Sequence, residues 1–168
     1  AGLLTALAML RRCGARVALM DCLDRTWSDV PWPRAHATGK GPYPKTPIPK
    51  PAALRGVPRQ YSRYGHSPDV VRGALELLSP PPDLVLVTTV MTYWYPGAAE
   101  AIRMVRDIWP GVPVVLGGIY ASLCPEHARG LGADLVLGGR IEDPQVWGRL
   151  WKLLGGVEPN LPEGAGLQ

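Results

Sequence analysis

Three short apolar runs, Leu84–Val90, Val112–Leu116 and Ala133–Leu137, each end in hydroxyl residues or paired glycines, and each is followed by a stretch with helical spacing. Runs of strand length that stay apolar at every position belong where both faces of a sheet are covered, which is the environment of a parallel sheet flanked by helices. The intervening segments fit that reading. Pro96 opens a helix carrying Ala98, Ala101, Ile102, Val105 and Trp109 on one side, closed by Pro110–Gly111, and Pro125 starts a short helix to Leu131. Asp143–Pro144 caps a last helix whose stripe is Val146, Trp147, Leu150, Trp151 and Leu154 before Gly155 and Gly156. Strands alternating with helices predict an α/β fold with a Rossmann-like, doubly wound parallel sheet.

The N-terminal part predicts the same fold. Leu3, Leu4, Leu7 and Leu10 recur at helical spacing over residues 2–13, Gly14 stops the helix, and Ala15–Met20 reads as a fourth buried strand ending at Asp21. Ser67 before Pro68 starts another helix, with Val70, Val71, Ala74, Leu75 and Leu78 as its apolar stripe up to Pro80–Pro82. A doubly wound sheet normally opens with a central strand, whereas this order opens with a helix, so a first strand preceding Ala1 is expected. Between them, residues 27–65 lose all periodicity, and Pro42, Pro44, Pro47, Pro49 and Pro51 forbid helix or central strand there. The expected organisation is one α/β domain over 1–154 with a proline-rich basic insertion at 27–65, and a linker over 155–168.

At 168 residues, with 46% hydrophobic and 19% charged residues, the chain can build one core. No apolar run approaches the roughly 18 residues that span a bilayer, and no signal peptide precedes the first helix, so a cytoplasmic protein without a membrane partner is expected. The net charge of +4 is local. Arg34, Lys40, Lys45, Lys50, Arg55, Arg59 and Arg63 lie between Pro31 and Pro68 with no acidic residue, which leaves 11 basic against 14 acidic residues elsewhere. These charges, spread between prolines, are expected to lie along a packed or extended arm rather than to bind nucleic acid. Cys13, Cys22 and Cys124 match no metal spacing and are expected as small buried apolar groups.

In open parallel sheets ligands lie beyond the C-terminal strand ends, where the strand order reverses. Three such ends carry the candidate binding residues: Thr88, Thr89, Met91, Thr92 and Tyr93; Gly117, Gly118, Ile119, Tyr120 and Ser122; Gly138 and Gly139. Hydroxyls, backbone amides and glycines that allow close approach suit a large, mostly uncharged polar ligand. The bland alternative is that the glycines merely turn the chain. Tyr93, Trp94 and Tyr95 would stack on a ligand or on a neighbouring domain. Asp21 and Asp24 lack the Gly-x-Gly-x-x-Gly that would make them ribose-binding residues, and of His36, His66 and His127 only His127 lies near a strand end. The sequence offers no catalytic constellation and no metal-ligand set.

The segment Val87-Thr88-Thr89-Val90-Met91-Thr92-Tyr93-Trp94-Tyr95-Pro96-Gly97, followed by Val114-Val115-Leu116-Gly117-Gly118-Ile119-Tyr120-Ala121-Ser122-Leu123-Cys124-Pro125-Glu126-His127, resembles the N-terminal cobalamin-binding domain of radical S-adenosylmethionine proteins. The likeness runs over about 1–24 and 65–154. It implies a flavodoxin-like fold of the cobalamin-binding type, cobalamin as cofactor, and a C-terminal radical S-adenosylmethionine domain of the same polypeptide as partner, acting on an unknown substrate. A [4Fe–4S] cluster and S-adenosylmethionine would belong to that downstream domain, since the Cys-x-x-x-Cys-x-x-Cys motif is not in this chain. The Asp-x-His-x-x-Gly motif that supplies a histidine to cobalt is also absent. The chain alone is then no enzyme, while its parent would carry out methyl transfer or related radical chemistry. Two alternatives stand beside this: a domain that has lost the cofactor and serves as a docking or substrate-recognition module, and a nucleic-acid binder using the basic arm with Tyr43, Tyr61 and Tyr64.

Overall fold

The structure, a computed structural model, describes residues 2–25 and 41–156. In chain order the elements are α1 (Gly2–Arg12), β1 (Lys45–Pro47), β2 (Ser62–Tyr64), α2 (Pro68–Glu76), β3 (Val85–Thr88), α3 (Tyr95–Ile108), β4 (Val114–Gly117), α4 (Ile119–Leu123), α5 (Pro125–Arg129), β5 (Leu135–Val136) and α6 (Pro144–Leu153). They fall into two compact units, one of Ala1–Ala18 with Leu78–Gln168 and one of Leu19–Leu77.

The first unit is an α/β layer structure around a parallel sheet of order β3-β4-β5, consistent with a Rossmann-like, flavodoxin-type fold. Val85 pairs with Val114 and Thr88 with Gly117, while Val115 pairs with Leu135. β4 lies in the middle, and its Val114, Val115 and Leu116 are buried. Strand side chains alternate between faces, so these three valine and leucine side chains serve two cores. On one face Val115 and Leu137 pack with Met9 and Leu10 of α1 and with Trp147 and Leu150 of α6. The connections β3–α3–β4 and β4–α4–α5–β5 step the same way across the sheet, so the right-handed crossover rule sets α3, α4 and α5 together on the opposite face. Ile102, Val105, Tyr120, Ala121 and Ala128 are the buried residues of those helices.

The bottom of this sheet is clamped by one carboxylate. Asp134 Oδ2 accepts the Val114 N–H at 2.6 Å and meets Arg106 Nη2 at 2.7 Å. The same guanidinium donates to the carbonyls of Val112 at 3.1 Å and Gly132 at 3.2 Å. Burial works to raise the Asp134 pKa, but the Val114 amide and the Arg106 guanidinium outweigh it and hold the carboxyl below its ordinary value.

Three expectations need correction in this unit. Ala15–Met20 forms no strand: the described sheet has three strands, because the run has no neighbouring strand to supply its ladder bonds. Immediately after Gly118 the chain folds into α4, a helix not foreseen, before Pro125 begins α5, which stops at Arg129 rather than Leu131. Cys13 and Cys124 are half-buried and Cys22, in the second unit, is exposed, so none is a buried core residue.

In the second unit the proline-rich arm is not featureless. β1 and β2 pair antiparallel, Lys45 opposite Tyr64 and Pro47 opposite Ser62. A two-stranded ladder tolerates Pro47 because each strand has a free edge. Gly65 adopts φ +93°, and a Cβ there would collide with the Cys22 carbonyl, while the adjacent His66 is buried with Nε2 2.7 Å from the Asp24 carbonyl oxygen. Ser67 caps α2, its Oγ accepting the Val70 N–H at 3.4 Å. The part of the arm from Thr26 to Lys40, with Arg34, His36 and Lys40, and the linker from Val157 to Gln168 lie outside the described residues.

Candidate functional site

The three strand ends come together at one edge of the sheet. Thr88 and Gly117 are register partners, and Thr88 Oγ1 donates weakly to the Gly117 carbonyl at 3.4 Å. Gly118 then takes φ +92° and ψ −169°, a backbone region essentially reserved for glycine. A Cβ at this position would press on Thr88 Oγ1 and lie 3.3 Å from the Thr89 carbonyl oxygen. The glycine therefore serves the chain's own packing as well as any ligand.

Ser122 links the second strand end to the third. Its Oγ donates to the Gly118 carbonyl at 3.1 Å and accepts the Gly139 N–H at 3.0 Å. Gly138 lies tight against it, since a Cβ there would be 3.4 Å from the Ser122 Cα. Gly117–Ser122 and Gly138–Gly139 are thus one hydrogen-bonded assembly.

Beyond β3 the chain makes a 3-10 turn, Thr92–Trp94, which packs against α4. Val90, Met91, Tyr93 and Trp94 from the turn, with Ile119 and Leu123 from α4, are exposed large apolar side chains. Tyr93 and Trp94 meet edge to face, with centroids 5.9 Å apart. No charged residue occurs from Leu84 to Ala99 or from Val112 to Pro125, so this rim is apolar and electrically neutral. Contiguous exposed apolar surface is uncommon on soluble domains and marks binding sites.

Tyr120 is the candidate that the structure removes from the ligand face. It is 1% exposed, and its hydroxyl meets His127 Nδ1 at 2.6 Å. Tyr95 stacks on Tyr120 at 6.3 Å and meets the His127 ring edge to face at 4.6 Å. Burial raises the Tyr120 pKa above its ordinary value, with Cys124 and Tyr95 adding to the shift. The aromatic run at 93–95 is therefore split: Tyr93 and Trp94 face out, and Tyr95, the first residue of α3, turns inward. Trp94, expected to stack on a ligand or a neighbouring domain, lies on the rim, and Val90 and Leu123 join it without having been candidates; for Leu123 the helical turn at Ile119–Leu123 was the missing signal.

These residues fit a corrin. Such a ring offers broad apolar faces and a fringe of neutral amides, matching an uncharged apolar rim beside the backbone of Gly118 and Gly139. His127, the nearest imidazole in sequence, has Nδ1 engaged by the Tyr120 hydroxyl. Among the described residues no group of histidine, cysteine and carboxylate side chains is placed to hold a metal ion. No described helix is long and apolar enough to cross a membrane.

No curated protein and no solved structure matches the chain. Residues 65–145, from the residue before His66 through β3, β4 and β5 to the start of α6, match the family model of the B12 binding domain, which supports a cobalamin-binding domain.

Proposed function

We propose that this chain binds cobalamin at the C-terminal ends of β3, β4 and β5 and acts as the cofactor-binding domain of a radical S-adenosylmethionine enzyme. The observation that carries the binding site is the neutral apolar rim of Met91, Tyr93, Trp94, Ile119 and Leu123 beside the Gly118–Ser122–Gly139 assembly. Bound cobalamin supplies a cobalt centre able to carry a methyl group or an electron. The chain's own residues do the holding: the rim removes apolar ring surface from water, and the glycine backbone admits the amide fringe closely. Catalysis, the iron–sulfur cluster and S-adenosylmethionine belong to a downstream domain in this reading.

The test is reconstitution with hydroxocobalamin, followed by gel filtration and a visible spectrum of the protein peak. Wild type is expected to retain corrin, and Ile119→Glu, which puts a charge into the rim without altering the core, is expected to weaken retention at least about tenfold, the equivalent of 1.4 kcal/mol. Wild type that passes through free of corrin, or an Ile119→Glu variant that retains as much, would favour the docking module without cofactor.

A further inference from the structure

The outer edge of β5 holds a cavity remote from the apolar rim. Its volume is about 320 Å³, and its walls are Arg129, Ala133, Asp134, Leu135, Val136 and Arg149. Ala133 and Asp134 precede β5, so the cavity lies towards the N-terminal ends of the strands, whereas the rim stands beyond their C-terminal ends. Small-molecule sites begin at roughly 300 Å³.

The two arginines reach this edge from opposite faces of the sheet. Arg129 is the last residue of α5, on the face of α3 and α4, and Arg149 comes from α6, whose Trp147 and Leu150 pack on the other face. Arg149 Nη2 donates to the Val136 carbonyl at 3.3 Å, which fixes one end of the guanidinium against the strand. The same bond spends an acceptor that a further strand would need, so a small molecule suits this edge better than an added strand.

Charge decides which small molecule. The Asp134 carboxylate is already spent, with Oδ2 accepting the Val114 N–H and paired with Arg106 at 2.7 Å. Arg129 pairs with Glu126, whose side chain is 88% exposed, a surface contact of little strength that a doubly charged anion displaces. Arg149 makes no ion pair among the described residues, and no acidic residue occurs from Pro144 to Gly156. The cavity therefore carries surplus positive charge on two planar forks of N–H donors, the geometry that grips oxyanions bidentately. A phosphate monoester carries about −1.5 to −2 charge at neutral pH and matches two guanidinium groups better than one carboxylate does. Ala133, Leu135 and Val136 give its organic part an apolar wall.

From this we infer that the cavity at the outer edge of β5 binds a small phosphate monoester, with the phosphoryl oxygens shared between Arg129 and Arg149. The inference rests on this cavity alone and does not depend on cobalamin.

Titration of the full chain with phenyl phosphate, followed by NMR, tests it, with benzoate as a monocarboxylate of similar size. Phenyl phosphate is expected to shift the amides of Ala133–Val136 and the Arg149 Nε–H saturably, with a Kd below about 1 mM. Arg149→Gln and Arg129→Gln are each expected to weaken binding at least about tenfold, whereas Arg12→Gln, on α1, leaves it unchanged. Arg149→Gln also removes the bond to Val136, so Arg129→Gln keeps the test independent of that structural link. Shifts that do not saturate, wild-type affinity in Arg129→Gln, or equal affinity for benzoate overturns the inference.

Discussion

Gly118 has no room for a side chain because Thr88 already occupies it: a Cβ on the glycine would run into the threonine Oγ1 and close to the Thr89 carbonyl. With φ at +92°, substitution also carries backbone strain of about 1–3 kcal/mol. Gly118→Ala is therefore expected to lower the stability to urea by about 2 kcal/mol, and Gly118→Val by more. Thr88→Ala in the Gly118→Ala background should return about 1 kcal/mol as a coupling energy. Additive effects in the double-mutant cycle would show that the contact is not the constraint. A Gly118 variant is consequently a poor probe of ligand approach, and a rim residue such as Ile119 a better one.

Ser122 holds two loops with one hydroxyl, and its alanine variant tests that link. Ser122→Ala loses hydrogen bonds to Gly118 and Gly139 on an exposed surface, where water replaces part of what is lost. A cost of about 1 kcal/mol is expected. The sharper readout is amide exchange at Gly139, which should accelerate selectively. An unchanged rate at Gly139 would mean that the serine does not tie the third strand end to the second.

Much of the fold was legible because it rests on periodicity and punctuation. Apolar runs placed β3, β4 and β5, and Ser67 and Asp143 do cap their helices, with Asp143 Oδ1 accepting the Gln145 N–H at 2.8 Å. What failed was context. Ala15–Met20 has the composition of a strand, but a strand exists only when a neighbour completes its ladder, and composition does not show the neighbour. In the site, glycine and hydroxyl residues mark the right strand ends but not which atoms stay free. Ser122 and Tyr120 were both plausible ligand contacts, and the fold uses the first as an internal bridge and buries the second.

Asp134 makes stability depend on acid pH. Its folded pKa lies below the unfolded carboxyl value of about 3.9, so its contribution is complete above that value and disappears as pH falls through the folded pKa. With the carboxylate part-exposed, solvent screening keeps the ion pair with Arg106 modest. Asp134→Asn should cost about 1 kcal/mol at pH 7, chiefly through weaker acceptance of the Val114 amide. The difference from wild type should hold steady from pH 7 to about pH 5 and shrink below about pH 4. A difference that persists unchanged at pH 2 would deny the carboxylate its charged role.

His127 separates structure from cofactor chemistry most directly. Its Nδ1 meets the hydroxyl of a tyrosine that is 1% exposed, so His127→Ala leaves that hydroxyl without its partner, at a cost of about 1–3 kcal/mol. Tyr120→Phe removes the hydroxyl itself and should cost less, about 1 kcal/mol, and adding it to His127→Ala should recover part of the loss. If His127 serves only Tyr120, the visible spectrum of the cobalamin-loaded protein stays the same in His127→Ala, provided the variant is studied below its unfolding temperature. The paramagnetic resonance spectrum of the reduced cobalt form should likewise show no splitting from a protein nitrogen in either protein. A spectrum that shifts in His127→Ala while folding and corrin retention are intact would make His127 a cobalt ligand, and Tyr120 the residue that orients it.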